Sequence, residues 1–171
     1  MRTDRRPLRG PALNTALAVL TAVILTLSSG LPALAADTGR LAVFPFAVNA
    51  PAEFDYLGRD IPSLLRDELQ ARGFELVAGE KIQAVIANSG KEELNSQAVK
   101  DLALQANADY AVYGSVSQLG DNLSLDIRLL DPLSMAPPKA FYATAQGLIN
   151  LQPALSGAAD KLQNSLQRRT T

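Results

Sequence analysis

The side chains that do most biological chemistry near neutral pH are missing from this chain. It has no histidine and no cysteine. That removes the usual general base, the commonest transition-metal ligand, and any thiolate nucleophile or thiolate metal site. Carboxylates and hydroxyls remain. Glu92 and Glu93 sit beside Lys91 in a polar stretch and read as solvated charges. Asp126 alternates with Ser124 and Arg128, and Asp131 precedes Pro132, a common turn role for aspartate. No run of alternating oxygen ligands suits calcium. Ser115 has no conventional base to activate it, and neither a glycine-rich phosphate loop nor a nucleophile elbow occurs. The sequon Asn122-Leu123-Ser124 is nearly uninformative by itself. The residues therefore predict no enzyme, and no catalytic, cofactor or metal site. Recognition is the better lead. Phe54, Asp55 and Tyr56 place two aromatics in a loop after an apolar strand and form the candidate partner contact. The blander reading is that both rings fold back over the core as a lid.

The elements that must hold these residues begin after a leader. Arg2, Arg5, Arg6 and Arg9 precede the apolar stretch 16–27, ALAVLTAVILTL, and Ser28, Ser29, Gly30 and Pro32 then break it. Ala33-Leu34-Ala35 supplies the small-x-small pattern before a cut at Ala36, so residues 1–35 read as a signal peptide. The apolar stretch is about 12 residues long, where a spanning helix needs roughly 20, so no stable membrane span is expected after cleavage. With no cysteine to carry a lipid, no lipid anchor is expected either. Arg5-Arg6 leaves the general and twin-arginine export routes both open. The exported remainder is expected to be periplasmic and soluble, and long enough for a hydrophobic core without disulfides. The whole chain has 16 bases and 17 acids, of which the leader takes four bases and one acid. The mature part is thus mildly acidic, with no basic cluster for nucleic acid.

Hydrophobic period lays out the scaffold. Leu41 to Val48 is a continuous apolar run, the pattern of a strand covered on both faces, and Pro45 requires an edge or a bulge there. Ile61, Leu64, Leu65 and Leu69 mark a helix from Asp60 to Arg72, with Asp60 as its cap and Gly73 as its stop. Phe74 to Ala78 is a short strand parallel to the first. Helices follow over Glu80 to Ala87 and Ser96 to Asn107, the second capped by Asn95 or Ser96. The period then changes to two: Tyr110 to Leu119 and Leu123 to Asp131 are strands joined at Gly120, the second with one dry and one wet face. A third antiparallel strand spans Ala140 to Gln146, and a closing helix spans Asn150 to Gln167. The result is one α/β domain over residues 36–167, with a mixed sheet of about five strands in the order β-α-β-α-α-β-β-β-α. Residues 168–171 form a loose tail.

Several of these segments resemble the amino-terminal domain of TolB-like periplasmic proteins. The likeness is carried by Val43-Phe44-Pro45-Phe46, Tyr56-Leu57-Gly58, the helix Ile61 to Arg72, and Phe74-Glu75-Leu76-Val77. It continues through Ala108 to Val116 and the paired segment Leu125 to Asp131. Pro45, Asp109, Gly114 and Asp131 are its fixed points. The resemblance implies a non-enzymatic envelope module that binds other proteins and supports envelope assembly or transport. Related domains occur in curli-secretion-type lipoproteins and in activators of wall synthases. It is not expected to carry over TolB's own partners, since residues 40–165 match neither TolB's β-propeller nor its extended amino-terminal segment. One alternative is a subunit of a ring-forming secretion complex, which would need a membrane-spanning hairpin of roughly 9–11 residues per strand. Another is a small-ligand binding protein. The hairpin around Gly120 is long enough, but its alternating Asp126 and Arg128 suit a sheet.

Overall fold

In the computed structural model, which describes residues 39–91 and 93–168, the first apolar run is strand β1 (Arg40–Asn49) and Pro45 shapes it. β1 pairs in parallel with β3 (Tyr110–Leu119), and the register shifts between Val43 and Phe46. The extra residue restores the pattern that alternation alone would break. Leu41, Val43, Phe46 and Val48 all reach one side of the sheet, while Ala42 and Phe44 reach the other. Of the two expected accommodations for Pro45, the chain uses the bulge.

Helix α1 (Leu57–Ala71) starts three residues before the expected Asp60. Asp60 is therefore a first-turn acid, not the cap, and Tyr56 precedes the helix with no side-chain cap. The early start is possible because residue 58 is glycine: a Cβ there would lie 2.8 Å from the Phe46 carbonyl oxygen, so the first turn rests directly on β1. Leu57, Ile61, Leu65 and Leu69 are buried, whereas Leu64 is 36% exposed and lies off the stripe. Gly73, at φ +84°, ends the helix. β2 (Glu75–Leu76) is parallel to β1 as expected but only two residues long.

Helices α2 (Gly79–Ser89) and α3 (Ser96–Gln105) follow, and Asn95 Oδ1 caps α3 by accepting from Ala98 N at 2.9 Å. β3, β4 (Asn122–Leu130) and β5 (Lys139–Gln146) then run antiparallel, and α4 (Leu151–Gln167) closes the chain. The sheet order is β2-β1-β3-β4-β5, a mixed five-stranded α/β arrangement in the expected element order. α1 and α4 pack on one face, and α2 and α3 on the other. The β3–β4 hairpin supplies inner strands of this sheet, with Leu123, Leu125, Ile127 and Leu129 buried under α4 and α1. Arg72 fastens those helices together: it donates to Glu68 Oε2 at 2.6 Å, to Asp160 Oδ1 at 2.9 Å and to Ser156 Oγ at 2.9 Å.

The remaining fixed points of the resemblance hold the backbone. Asp109 Oδ2 accepts from Arg40 N at 2.7 Å while Asp109 N donates to Arg40 O at 2.8 Å, locking the start of β1 to β3. A Cβ on residue 114 would lie 2.0 Å from Asp126 O, so only glycine lets β4 approach β3 there. Asp131 Oδ1 accepts from Leu133 N at 3.0 Å and Ser134 N at 3.1 Å, the turn role read from Pro132.

Candidate functional site

The helices treat the second sheet face unequally. α2 and α3 bury Ala42, Phe44, Ala111, Tyr113 and Leu130. Farther along the same face, Ser115 and Ser117 of β3, Ser124, Asp126 and Arg128 of β4, and Tyr142 and Thr144 of β5 stay exposed or half-buried. Register sets Ser115 against Asp126 and Asp126 against Tyr142, and places Ser124 between Ser117 and Thr144. The wet row of β4 is readable from its period. Its neighbours from β3 and β5 are not, because they depend on which strands pair and in which register.

Two clefts run along the margin where the α2–α3 connection overhangs this face. One, of about 450 Å³, is lined by Pro45, Phe46, Ala47, Glu93, Leu94, Asn95 and Gly114. The other, of about 240 Å³, shares Leu94, Asn95 and Gly114 and adds Ser96, Tyr113, Ser115, Asp126 and Arg128. Asp126 Oδ2 accepts from Arg128 Nη2 at 2.9 Å. That bond, with a smaller contribution from Tyr113, holds the Arg128 guanidinium protonated even more firmly than usual. Asp126 Oδ1 is shielded from water and has no hydrogen-bond partner among the described residues. The Tyr113 and Ser96 hydroxyls share a hydrogen bond. The set offers donors, acceptors and one ion pair, which suits binding. Among the described residues no acidic cluster has the geometry to hold a metal ion.

The loop aromatics lie elsewhere. Ala52–Phe54 is one 3-10 turn, in which Phe54 N donates to Pro51 O at 2.8 Å. Phe54 is half-buried against the core beneath α1, while Asp55 is exposed and Tyr56 is 39% exposed. The two rings face one another with centroids 6.5 Å apart. Phe54 therefore packs toward the core, and Asp55 and Tyr56 are exposed beside it. Lys91 bonds Asp101 Oδ2 at 2.7 Å, and Glu93 lines the larger cleft. Glu92, the cleavage residues Ala33, Ala35 and Ala36, and residues 169–171 of the tail lie outside the described residues.

This architecture recurs among solved bacterial structures. No known family profile matches the sequence. A 51-residue stretch, 30% of this chain, is 43% identical to the outer membrane protein assembly factor BamA of Nitratidesulfovibrio vulgaris, and it spans only 6% of that protein's length. Lipoprotein GNA1162 from Neisseria meningitidis superposes with a TM-score of 0.53 at 17% identity, over 74% of this chain and 98% of that one. The LpoB C-terminal domain from Escherichia coli gives 0.53 at 16% identity, over 72% and 93%. TolB from Acinetobacter baumannii gives 0.50 at 14% identity, over 74% of this chain and 28% of TolB. These likenesses establish a shared fold. They agree with the fold that the resemblance implied without singling out TolB among its bearers. GNA1162 is named a lipoprotein, so they give no support to the expectation of a protein without a lipid anchor. Among the described residues, no helix is long and apolar enough to cross a membrane.

Proposed function

We propose that this chain is an exported, non-enzymatic protein-interaction module of the bacterial cell envelope, periplasmic after cleavage before Ala36, which supports envelope assembly or transport. The observation that carries the reading is the uncovered half of the second sheet face. Its polar row from Ser115 to Thr144 adds nothing to the core, yet it is ordered by three paired strands. Rigid polar and aromatic groups of this kind suit a protein partner, with Tyr142, 66% exposed, as the large side chain at its β5 margin. The lack of histidine and cysteine throughout the sequence supports binding over catalysis. The shared fold with a lipoprotein and TolB, and the short match to an assembly factor, support the compartment and the process. The exposed Tyr56 and Asp55, backed by the half-buried Phe54, are the candidate second contact.

The test is a photoreactive side chain placed at Ser124 in the native bacterium, with exposed Asp67 of α1 as the control position. The expected result is a discrete adduct between position 124 and an envelope protein, none from position 67, and an amino terminus at Ala36 in the recovered material. No adduct from position 124, or recovery of Met1 in the cytoplasmic fraction, overturns the reading.

A further inference from the structure

The two edges of the sheet differ. β2 offers two residues, whereas β5 runs unbroken over Lys139–Gln146. Pairing with β4 decides which β5 backbone groups point outward. Gly147 N donates to Asp121 O at 2.6 Å just beyond the ladder, whose next pair is Asn122 with Gln146. By antiparallel alternation, the odd-numbered residues of β5 bond to β4 and the even-numbered ones face away. Two outward carbonyls are occupied from within the chain: Lys161 Nζ donates to Tyr142 O at 3.1 Å, and Asn150 Nδ2 to Gln146 O at 2.6 Å. The outward amides of Ala140, Tyr142, Thr144 and Gln146 have no partner among the described residues.

We infer that β5 receives an extended segment of a partner protein as an added strand, and that this segment carries an acidic side chain beside Lys161. The inference rests on the interaction reading above and names its surface. Charge selects the occupant. Between Lys139 and Arg168 the only acid is Asp160, and Arg72 engages it on the α1 side at 2.8 Å. Of the two lysines on the β5 side, Lys139 donates to Ser165 Oγ at 3.0 Å and lies over the Phe141 ring, which leaves Lys161 as the cation nearest the edge. Lys161 now holds a neutral carbonyl, and a carboxylate is the stronger acceptor. A second copy is the poorer occupant, because pairing β5 with itself across a twofold axis sets Lys161 against its own counterpart. Lysine at an edge is also how sheets resist indiscriminate pairing.

The experiment titrates the purified ¹⁵N-labelled protein with a short peptide of alternating threonine and valine carrying a central glutamate, and with the same peptide carrying lysine instead. The expected amide shifts are confined to Ala140–Gln146, with slowed hydrogen exchange at the even-numbered positions. The lysine peptide binds at least about tenfold more weakly, and Lys161→Met erases that difference. Thr144→Pro removes one outward donor, leaves the β4 ladder intact and abolishes binding. Shifts elsewhere, no shift at about millimolar peptide, binding that survives Thr144→Pro, or a charge preference that survives Lys161→Met overturns the inference. If an envelope adduct still forms at position 124, such a failure removes the edge and leaves the module. If both experiments fail, both readings fall.

Discussion

The two rows of side chains on β4 have opposite fates. Leu123, Leu125, Ile127 and Leu129 are at most 2% exposed beneath α4 and α1. Between them, Ser124, Asp126 and Arg128 look onto the half of the other face that α2 and α3 leave bare. A strand buried on one side only needs one apolar row, so its second row is free to be selected for something besides folding. Under the proposed function, the domain divides into a side where substitutions act on stability and a side where they act on recognition.

Leu65→Asp should have the largest effect. Leu65 is fully buried in the middle of α1, and an unpaired carboxylate there costs several kcal/mol, on the order of a domain's whole stability. The expected outcome is loss of the cooperative thermal transition. A melt indistinguishable from wild type would mean that the covered side is not where stability resides.

Gly114 and Ser115 sharpen the comparison to adjacent residues. Gly114→Ala puts a Cβ 2.0 Å from Asp126 O, so the β3–β4 pair must separate, at an expected cost of about 3 kcal/mol. Ser115→Ala changes a half-buried polar side chain on the open face, and its effect should stay within about 0.5 kcal/mol. Urea denaturation of both variants checks the contrast, and equal costs would break it.

Charge also fastens the covered side, and pH reads it out. Arg72 holds the Glu68 carboxyl below its ordinary value of 4.5, chiefly through their hydrogen bond. A depressed folded pKa contributes stability that is fully present above the unfolded value and is lost as pH falls through the folded one. Arg72→Met should therefore cost about 2 kcal/mol near neutrality. The gap to wild type should shrink as the solution is acidified below the ordinary glutamate value. A gap independent of pH down to the acid limit would assign Arg72's contribution to packing alone.

The sequence made the fold legible wherever period and punctuation agree. The stripe Leu151, Leu155, Ala158, Ala159, Leu162 and Leu166 of α4 is buried throughout, and Gly120 and Asn95 act as their types suggest. The start of α1 is not legible locally: Asp60 looks like a cap, whereas the helix begins earlier on a contact between Gly58 and β1. That contact is tertiary and leaves no local signature. The polar face was legible one strand at a time. Ser115, Asp126 and Tyr142 are far apart in sequence, and only the register of two ladders brings them into one row. The fixed points of the resemblance, Pro45, Asp109, Gly114 and Asp131, all serve the backbone, so a likeness built on them conveys fold more than function.

The smallest expected effect lies in the loop after β1, where covered and open character meet within three residues. Phe54 packs against the core from the turn Ala52–Phe54, while Tyr56 stands 39% exposed beside it. Truncating a half-buried ring should cost about 1 kcal/mol of stability, and truncating the exposed one about 0.5 kcal/mol or less. Binding should show the reverse order, since an exposed aromatic at a contact is worth about 2 kcal/mol or more to a partner. Phe54→Ala and Tyr56→Ala, each shown to be folded, can be used as separate baits against envelope extracts, with yields compared to wild type. Reduced retrieval by Tyr56→Ala alone places Tyr56 on the open side of the comparison. Unchanged retrieval by both makes the whole loop a lid and leaves recognition to the sheet.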